Sequence, residues 1–277
     1  MLKELLKVND KFIDIMREQP AVLGAWYFGS ISHDTSDEHS DIDIVFLIDE
    51  KHFNDIDEKL NIMLGKACDE IVLRWAEGFN SDAIKNYGYL IRHNGQLFQY
   101  DVFLLNQGKI DDFMCQIHYT GLKKSDVIFD KDNSVKALIR KEIKGTPWHA
   151  DRHYLITTYW FHVQMSAKYL LRKDYFKLEG VLRILMDTHT SLLLSVFDKT
   201  AWGGSANKLH SIPLEKQKHL MLYGCSCDFG DVRERLAKTT KWFCDDVNST
   251  KDTKMINYNN ELCTTVFDDW KGKTKTL

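Results

Sequence analysis

The fold prediction depends on residues 21–48, which read AVLGAWYFGSISHDTSDEHSDIDIVFLI. The first apolar run of this stretch ends at Gly29-Ser30, a polar connection follows, and a second apolar run begins at Asp41. This pattern predicts two strands joined through a tight turn. Because side chains alternate along a strand, Asp41 and Asp43 are expected on the same face, at the entry to the second strand.

The residue types in this pattern indicate a site for a metal ion and a phosphate. Two carboxylates so close together repel each other unless a cation lies between them, and hard oxygen ligands suit Mg²⁺ or Mn²⁺ better than zinc. Gly29 permits a sharp turn and the close approach of an anion, and Ser30 adds a hydroxyl donor. Asp101 lies in the apolar run LFQYDVFLL, where a charge is costly without a partner, so it is the expected third carboxylate.

The rest of the first half alternates between helical and strand-like patterns. Apolar residues at helical spacing predict helices, and Asn94-Gly95 between two alternating runs is typical of a two-residue hairpin. The predicted elements are a helix over 2–18, strands over 21–28 and 41–48, a helix over 51–66, a strand over 68–75, two hairpin strands flanking Asn94-Gly95, and a strand over 127–129.

After about residue 133 the strand-like alternation disappears. Helical patterns cover 151–173, 176–199, 213–223 and 230–248, which predicts a helical bundle. The fold class is therefore α+β, with a mixed-sheet domain over 1–132 and an all-α domain over 133–277. The lysine-rich carboxyl end is expected to be a frayed, solvated tail.

Composition and charge exclude several classes of protein. The chain has 277 residues, 44% of them hydrophobic, which is enough for cores in one large or two ordinary domains. With 37 Lys and Arg against 40 Asp and Glu, no bulk positive field indicates a nucleic-acid or membrane partner. The amino-terminal residues lack a signal-peptide core, and the six cysteines lack zinc-ligand spacing, so a cytoplasmic protein with reduced thiols is expected.

The run FGSISHDTSDEHSDIDIVFLI resembles the signature of the DNA polymerase β-like nucleotidyltransferase superfamily, in which an apolar-Gly-Ser turn precedes an apolar-flanked Asp-x-Asp. The layout of the chain is similar to that of the antibiotic nucleotidyltransferases, above all the aminoglycoside 6-adenylyltransferase and lincosamide groups. This resemblance implies a catalytic domain over 1–132 and a helical substrate-binding domain over 133–277.

The resemblance also implies roles for the residues of the motif. Asp41 and Asp43 would bind two Mg²⁺ ions, and Asp101 would complete the metal site beside the attacking hydroxyl. Gly29 and Ser30 would hold the β- and γ-phosphates of a nucleoside triphosphate. Two metal ions in such a site stabilise both the attacking and the leaving oxygens of an in-line displacement.

The helical half offers candidates for the remaining roles. In related drug-modifying enzymes a carboxylate of the helical domain accepts the proton of the acceptor, and Glu179 is the first candidate here, with Asp187 second. Arg172, Arg183 and Lys208 are candidates for binding the triphosphate. For each of these residues the alternative interpretation is a solvated charge on a helix surface.

The resulting functional prediction is an Mg²⁺-dependent enzyme that transfers a nucleoside monophosphate, AMP from ATP, to a hydroxyl of a small-molecule antibiotic and releases pyrophosphate. Ten acidic residues between Asp34 and Glu58 favour a cationic acceptor such as an aminoglycoside. Two alternatives stay open: a nucleotidyltransferase that modifies a protein, as in toxin and antitoxin pairs, and a non-catalytic nucleotide- or drug-binding protein of the same fold. A monomer or a homodimer is expected.

Overall fold

The structure is a computed structural model that describes residues 2–32, 34, 36–141, 151–197, 209 and 211–277. It divides into two compact units, Met1–Lys144 and Gly145–Leu277. The first unit contains a mixed sheet with helices, and the described part of the second contains helices, so the predicted α+β fold class is confirmed.

The first unit is a six-stranded sheet with five helices among its described residues. The strands are β1 (Val22–Phe28), β2 (Ile42–Ile48), β3 (Glu70–Ala76), β4 (Ile84–His93), β5 (Gln96–Asn106) and β6 (Val127–Asp130). The helices are α1 (Leu2–Arg17), α2 (Gly29–Ser32), α3 (Phe53–Gly65), α4 (Phe113–Tyr119) and α5 (Ser134–Ile139).

The strand order is β3-β4-β5-β2-β1-β6, so the two strands that carry the predicted carboxylates, β2 and β5, are neighbours. These two strands pair in parallel, and the other neighbouring pairs are antiparallel. The predicted hairpin joins β4 and β5, and both of its loop residues have positive φ, 49° at Asn94 and 73° at Gly95. Positive φ at both central residues is what a type I′ turn requires.

Helices cover the two faces of the sheet differently. α1 and α3 pack along one face, against alternate residues of the central strands such as Ile44 and Val102. On the opposite face, α4 and α5 form a smaller core with Trp26, Val45 and Leu105. Because alternation separates the two cores, Asp43 and Asp101 lie on the α4/α5 face of their strands.

The second unit is built from long amphipathic helices around one core. The helices are α6 (Arg152–Arg172), α7 (Tyr175–Phe197), α8 (Leu214–Leu220), α9 (Phe229–Ser249), α10 (Thr253–Leu262) and α11 (Asp268–Thr274), with a π-helical segment (Cys263–Phe267) between the last two. α6 and α7 form an antiparallel pair that turns at Lys173, whose φ of 53° ends α6 in the left-handed conformation. Among the described residues, α7 is long and apolar enough to cross a membrane, but it contributes Leu178, Leu182 and Leu185 to the core of the unit.

The structure also differs from the sequence predictions in places. The division between the units lies later than the predicted 132/133 boundary, because α5 packs on β1 and β6 of the first unit. The prediction of a frayed carboxyl end was wrong, since α11 buries Trp270 and Thr274 completely. The indole Nε1 of Trp270 donates a hydrogen bond of 2.8 Å to Ser166 on α6, which holds the end of the chain in the core.

Candidate functional site

The carboxylates of the first unit meet on adjacent strands. In the register of the sheet, Asp43 on β2 lies opposite Asp101 on β5 and opposite Phe28, the last residue of β1. Directly paired residues of neighbouring strands project to the same face, with strands about 4.8 Å apart. Asp41 precedes β2 by one residue and is half-buried, so the three predicted carboxylates belong to one edge of one sheet face.

The Gly-Ser turn lies against this carboxylate edge. β1 ends at Phe28 and the chain turns at Gly29, whose φ of 63° is in the left-handed region that favours glycine. A Cβ atom at position 29 would overlap Oδ2 of Asp43, so no other residue fits there without displacing the carboxylate. The two parts of the sequence motif, separated by the polar connection, are therefore in contact.

The electrostatic environment of Asp43 disfavours its charged form. Burial, followed by the negative charges of Asp41 and Asp101, raises the pKa of Asp43 to about 7. Burial also raises the pKa of Asp101. The hydrogen bond that Gln99 Nε2 donates to Asp101 Oδ2 (2.9 Å) opposes this rise, and the charges of Asp41 and Glu77 add to it.

These carboxylates suit a divalent cation in their chemistry. They offer oxygen ligands only, and the charged neighbours that raise the pKa of Asp43 are themselves acidic, so a cation beside them would relieve repulsion. In the part of the chain that the structure describes, no three His, Cys, Asp or Glu side chains are arranged as a ready set of metal ligands. The metal role of Asp41, Asp43 and Asp101 thus stays a prediction.

A lysine that the sequence did not single out lies beside the Gly-Ser turn. Lys123 Nζ donates a hydrogen bond of 3.2 Å to the carbonyl of Ser32, at the end of α2. The same short helix begins with Gly29 and Ser30, and Ser30 is half-buried. A positive charge therefore lies next to the backbone that was predicted to bind phosphate.

The helical unit carries the other predicted residues on its surface. Glu179, Arg183 and Asp187 follow one another at intervals of four residues on α7, which places them on one face of that helix, and all three are exposed. Arg172, the last residue of α6, is also exposed. Lys208 lies outside the described residues. The predicted roles of these residues remain predictions.

Asp187 differs from Glu179 in lying at a cavity. A cavity of about 290 Å³ in the helical unit is lined by Met186, Asp187, Thr190, Leu209, Gln217, Leu220 and Met221. Its walls are mostly apolar, and its volume lies just below the range of small-molecule pockets, about 300 to 1,000 Å³. The second candidate for the proton acceptor therefore borders a space of roughly ligand size.

Comparison with known protein families finds a match within the first unit. Residues 10–74 match the family model described as polymerase beta, nucleotidyltransferase. The chain carries a nucleotidyltransferase domain. The match includes Gly29, Ser30, Asp41 and Asp43, which confirms the resemblance to the DNA polymerase β-like superfamily on the residues that suggested it. No curated protein matches the chain significantly.

The first unit contains residues beside the candidate site that sequence reasoning missed. Gln99 and Glu77 both act on Asp101, and Lys123 contacts α2. Gln99 had a visible signal, because it lies two residues before Asp101 and alternation puts both side chains on one face. Glu77 and Lys123 had none, because their positions depend on strand pairing and on a loop that returns to the turn.

Proposed function

We propose that the protein transfers a nucleoside monophosphate, AMP from ATP, to a hydroxyl group of a small-molecule antibiotic of the aminoglycoside or lincosamide type. The observation that carries this proposal is the register of Asp43 with Asp101, with Gly29 packed against the Asp43 carboxylate. A family match to the nucleotidyltransferases supports the reaction class.

In the proposed reaction an oxygen of the acceptor forms a bond to the α-phosphorus, the bond from this phosphorus to the bridging oxygen breaks, and pyrophosphate leaves. Asp41, Asp43 and Asp101 would hold Mg²⁺, or Mn²⁺ in its place, which supplies positive charge to the α-phosphate and the departing pyrophosphate. The backbone of Gly29, the hydroxyl of Ser30 and the ammonium group of Lys123 bind the β- and γ-phosphates.

The acceptor hydroxyl must lose a proton as the new bond forms. Glu179 is the proposed proton acceptor, and Asp187, which borders the cavity of the helical unit, is the alternative. Arg172, Arg183 and Lys208 are the proposed contacts of the helical domain with the triphosphate. The acid-rich stretch from Asp34 to Glu58 supports an acceptor that carries positive charge, with the metal ions balancing the charge of Asp41 and Asp43.

The test is a screen of the purified chain with each of the four ribonucleoside triphosphates and Mg²⁺, with kanamycin or lincomycin as acceptor. Pyrophosphate release is measured together with the mass of the acceptor. We expect one acceptor to gain the mass of a nucleoside monophosphate, with ATP as the preferred donor. The Asp43→Asn variant is the control and should give neither signal.

Two other results would contradict the proposal. Labelling of a protein, with both drugs unmodified, would identify a protein-modifying nucleotidyltransferase. Binding of nucleotide and drug without any pyrophosphate release would identify a binding protein of the same fold.

A further inference from the structure

A large exposed aromatic side chain lies in line with the carboxylates. Trp75, on the edge strand β3, has 57% of its surface exposed. The register pairs Trp75 with Gly88 on β4, Gly88 with Asp101 on β5, and Asp101 with Asp43 on β2. Since paired residues share a face, these four positions form one row across the sheet.

An irregularity in β3 places Trp75 on this face. Before the irregularity, Ile71 pairs with Ile91, which is part of the core under α1 and α3. The register then shifts between Ile71 and Leu73, and Trp75 pairs with Gly88 on the opposite face. In a regular strand Trp75 would project to the same side as Ile71, because the two positions are an even number apart. The bulge therefore turns the indole toward the carboxylates.

Arg74, the residue before Trp75, fixes which way the side chains of β3 point. The guanidinium of Arg74 lies 3.6 Å from the centroid of the Tyr87 ring and donates a hydrogen bond of 3.0 Å to Asp57 on α3. These contacts are on the face covered by α1 and α3, because Tyr87 belongs to the core there. With Arg74 held on one side, Trp75 is held on the other.

Gly88 lies between Trp75 and Asp101 and has no side chain to separate them. A Cβ atom at Gly88 would lie 3.0 Å from Oδ1 of Asp101 and 3.5 Å from Cε3 of Trp75. The indole and the carboxylate thus both lie close to Gly88, on its two sides. The charge of Glu77 also acts on Asp101, so this part of the face is negative.

We infer that Trp75 is the platform on which the acceptor ring binds, and that the acceptor is an amine-bearing, hydroxylated ring. The inference rests on the proposed function and deepens it by assigning a specificity-determining residue. An aromatic face attracts a nearby ammonium group and packs against the apolar face of a ring, and the carboxylate of Glu77, which is not assigned to the metal ion, favours the same positive charge. A ring stacked on the exposed indole of Trp75 would have its edge on the side of Asp101.

The experiment compares Trp75→Ala, Trp75→Phe and a control, Ile62→Ala, in the full-length chain. Ile62 is 64% exposed and lies on α3, which covers the opposite face of the sheet. Steady-state transfer is measured at varied kanamycin and at varied ATP. Trp75→Ala should raise the KM for kanamycin about tenfold and leave the KM for ATP unchanged, and Trp75→Phe should recover most of the loss. Ile62→Ala should match the parent.

A second measurement does not require turnover. Titration of the chain with kanamycin, followed by tryptophan fluorescence, should change the emission of the parent and of Ile62→Ala, and this change should be absent in Trp75→Phe. An unchanged kanamycin KM in Trp75→Ala, or a raised KM for ATP in its place, would overturn the inference and leave the proposed function intact. Loss of the proposed function would appear separately, as a parent chain that binds kanamycin without releasing pyrophosphate.

Discussion

Both units contain aspartates that are largely buried, but the neighbouring side chains are acidic in the first unit and basic in the second. In the first unit, Asp43 faces Asp41 and Asp101, and burial and these charges raise its pKa to about 7. In the second unit, Asp246 is 3% exposed and contacts His189 and Lys216. Burial alone would raise the pKa of Asp246, but the hydrogen bonds from its two partners outweigh burial and lower it.

The partners of Asp246 belong to a satisfied network. His189 Nε2 lies 2.8 Å from Asp246 Oδ2, and His189 Nδ1 lies 2.9 Å from the hydroxyl of Tyr223, which in turn lies 2.8 Å from that of Tyr159. Burial lowers the pKa of His189, so the neutral ring donates through Nε2 and accepts from Tyr223 through Nδ1. A buried carboxylate with such partners stabilises the fold, whereas one whose charged neighbours are acidic is suited to bind a cation.

The largest effect is expected from Asp43→Asn. The variant should lose transfer activity by about 10³-fold or more, because an amide supplies neither the charge nor the ligand strength of a carboxylate. Its stability should not fall, since the substitution removes repulsion. Pyrophosphate release and urea unfolding at pH 8 measure the two quantities, with the exposed Glu38→Gln as the control. A variant within threefold of the parent rate would contradict the assignment of Asp43.

The metal requirement belongs to the same test. Activity of the parent should disappear with a chelator and return with Mg²⁺ or Mn²⁺. Recovery with zinc alone would indicate a different chemistry from the one proposed.

Asp246→Asn should give the opposite result. The amide still accepts a hydrogen bond, but its own donors would face Lys216, so the helical unit should lose about 2 to 4 kcal/mol of unfolding free energy. Asp245→Asn is the matched control, because Asp245 is the exposed neighbour on the same helix. Equal unfolding midpoints in urea for the two variants would show that the network of Asp246 does not stabilise the unit.

The elements of both units that produce local patterns in the sequence were predicted correctly. Asn94-Gly95, the helices α6 and α7, and the strands around Asp43 were found because turn residues and periodicity act over a few positions. The charge of Asp101 within an apolar strand was also a local signal. All of these lie within regular elements of the structure or in the tight turn between β4 and β5.

The rest depended on contacts between distant parts of the chain. The face of Trp75 is set by a bulge in β3, and α11 is ordered by the packing of Trp270 against Ser166. The helices α4 and α5 are only 7 and 6 residues long, and an isolated helix of that length is marginal, so tertiary packing decides whether it forms. Such contacts leave no pattern in a single sequence.

A buried histidine of the first unit, His118, is expected to make this unit less stable at acid pH. His118 packs against Phe28 and Phe103, and burial lowers its pKa to about 4, although a hydrogen bond of 2.7 Å to the carbonyl of Met114 opposes the shift. In the unfolded chain the pKa is about 6.5, so below that value the unfolded state takes up the proton first. His118 therefore has little effect on the free energy of unfolding well above pH 6.5, and it lowers this free energy as the pH falls from 6.5 toward 4.

The expected loss from His118 between pH 7.5 and pH 5 is about 2 kcal/mol. Hydrogen exchange of the amides of β1 and α4 reports on the first unit separately from the second, where His189 also titrates. His118→Phe should remove most of this pH dependence from the first unit, and His52→Gln, a change at an exposed ring, should retain it. A pH dependence in His118→Phe equal to that of the parent would assign the acid sensitivity to other groups.

The smallest effect is expected at Ser30. Like Asp43, and unlike Asp246, this residue is expected to affect ligand binding and not the stability of the fold. A hydrogen bond from a hydroxyl to a charged phosphate in partly exposed surroundings contributes about 1.5 kcal/mol, so Ser30→Ala should raise the KM for ATP close to tenfold. The KM for the acceptor and the urea midpoint should stay near those of the parent, and Ser36→Ala, in the exposed connection after the turn, is the matched control. Isothermal titration with ATP and Mg²⁺ measures the affinity directly. If Ser30→Ala left ATP affinity unchanged and shifted only the acceptor KM, the phosphate role of the Gly29-Ser30 turn would be wrong, and Lys123 would be the next residue to test beside the carboxylate edge.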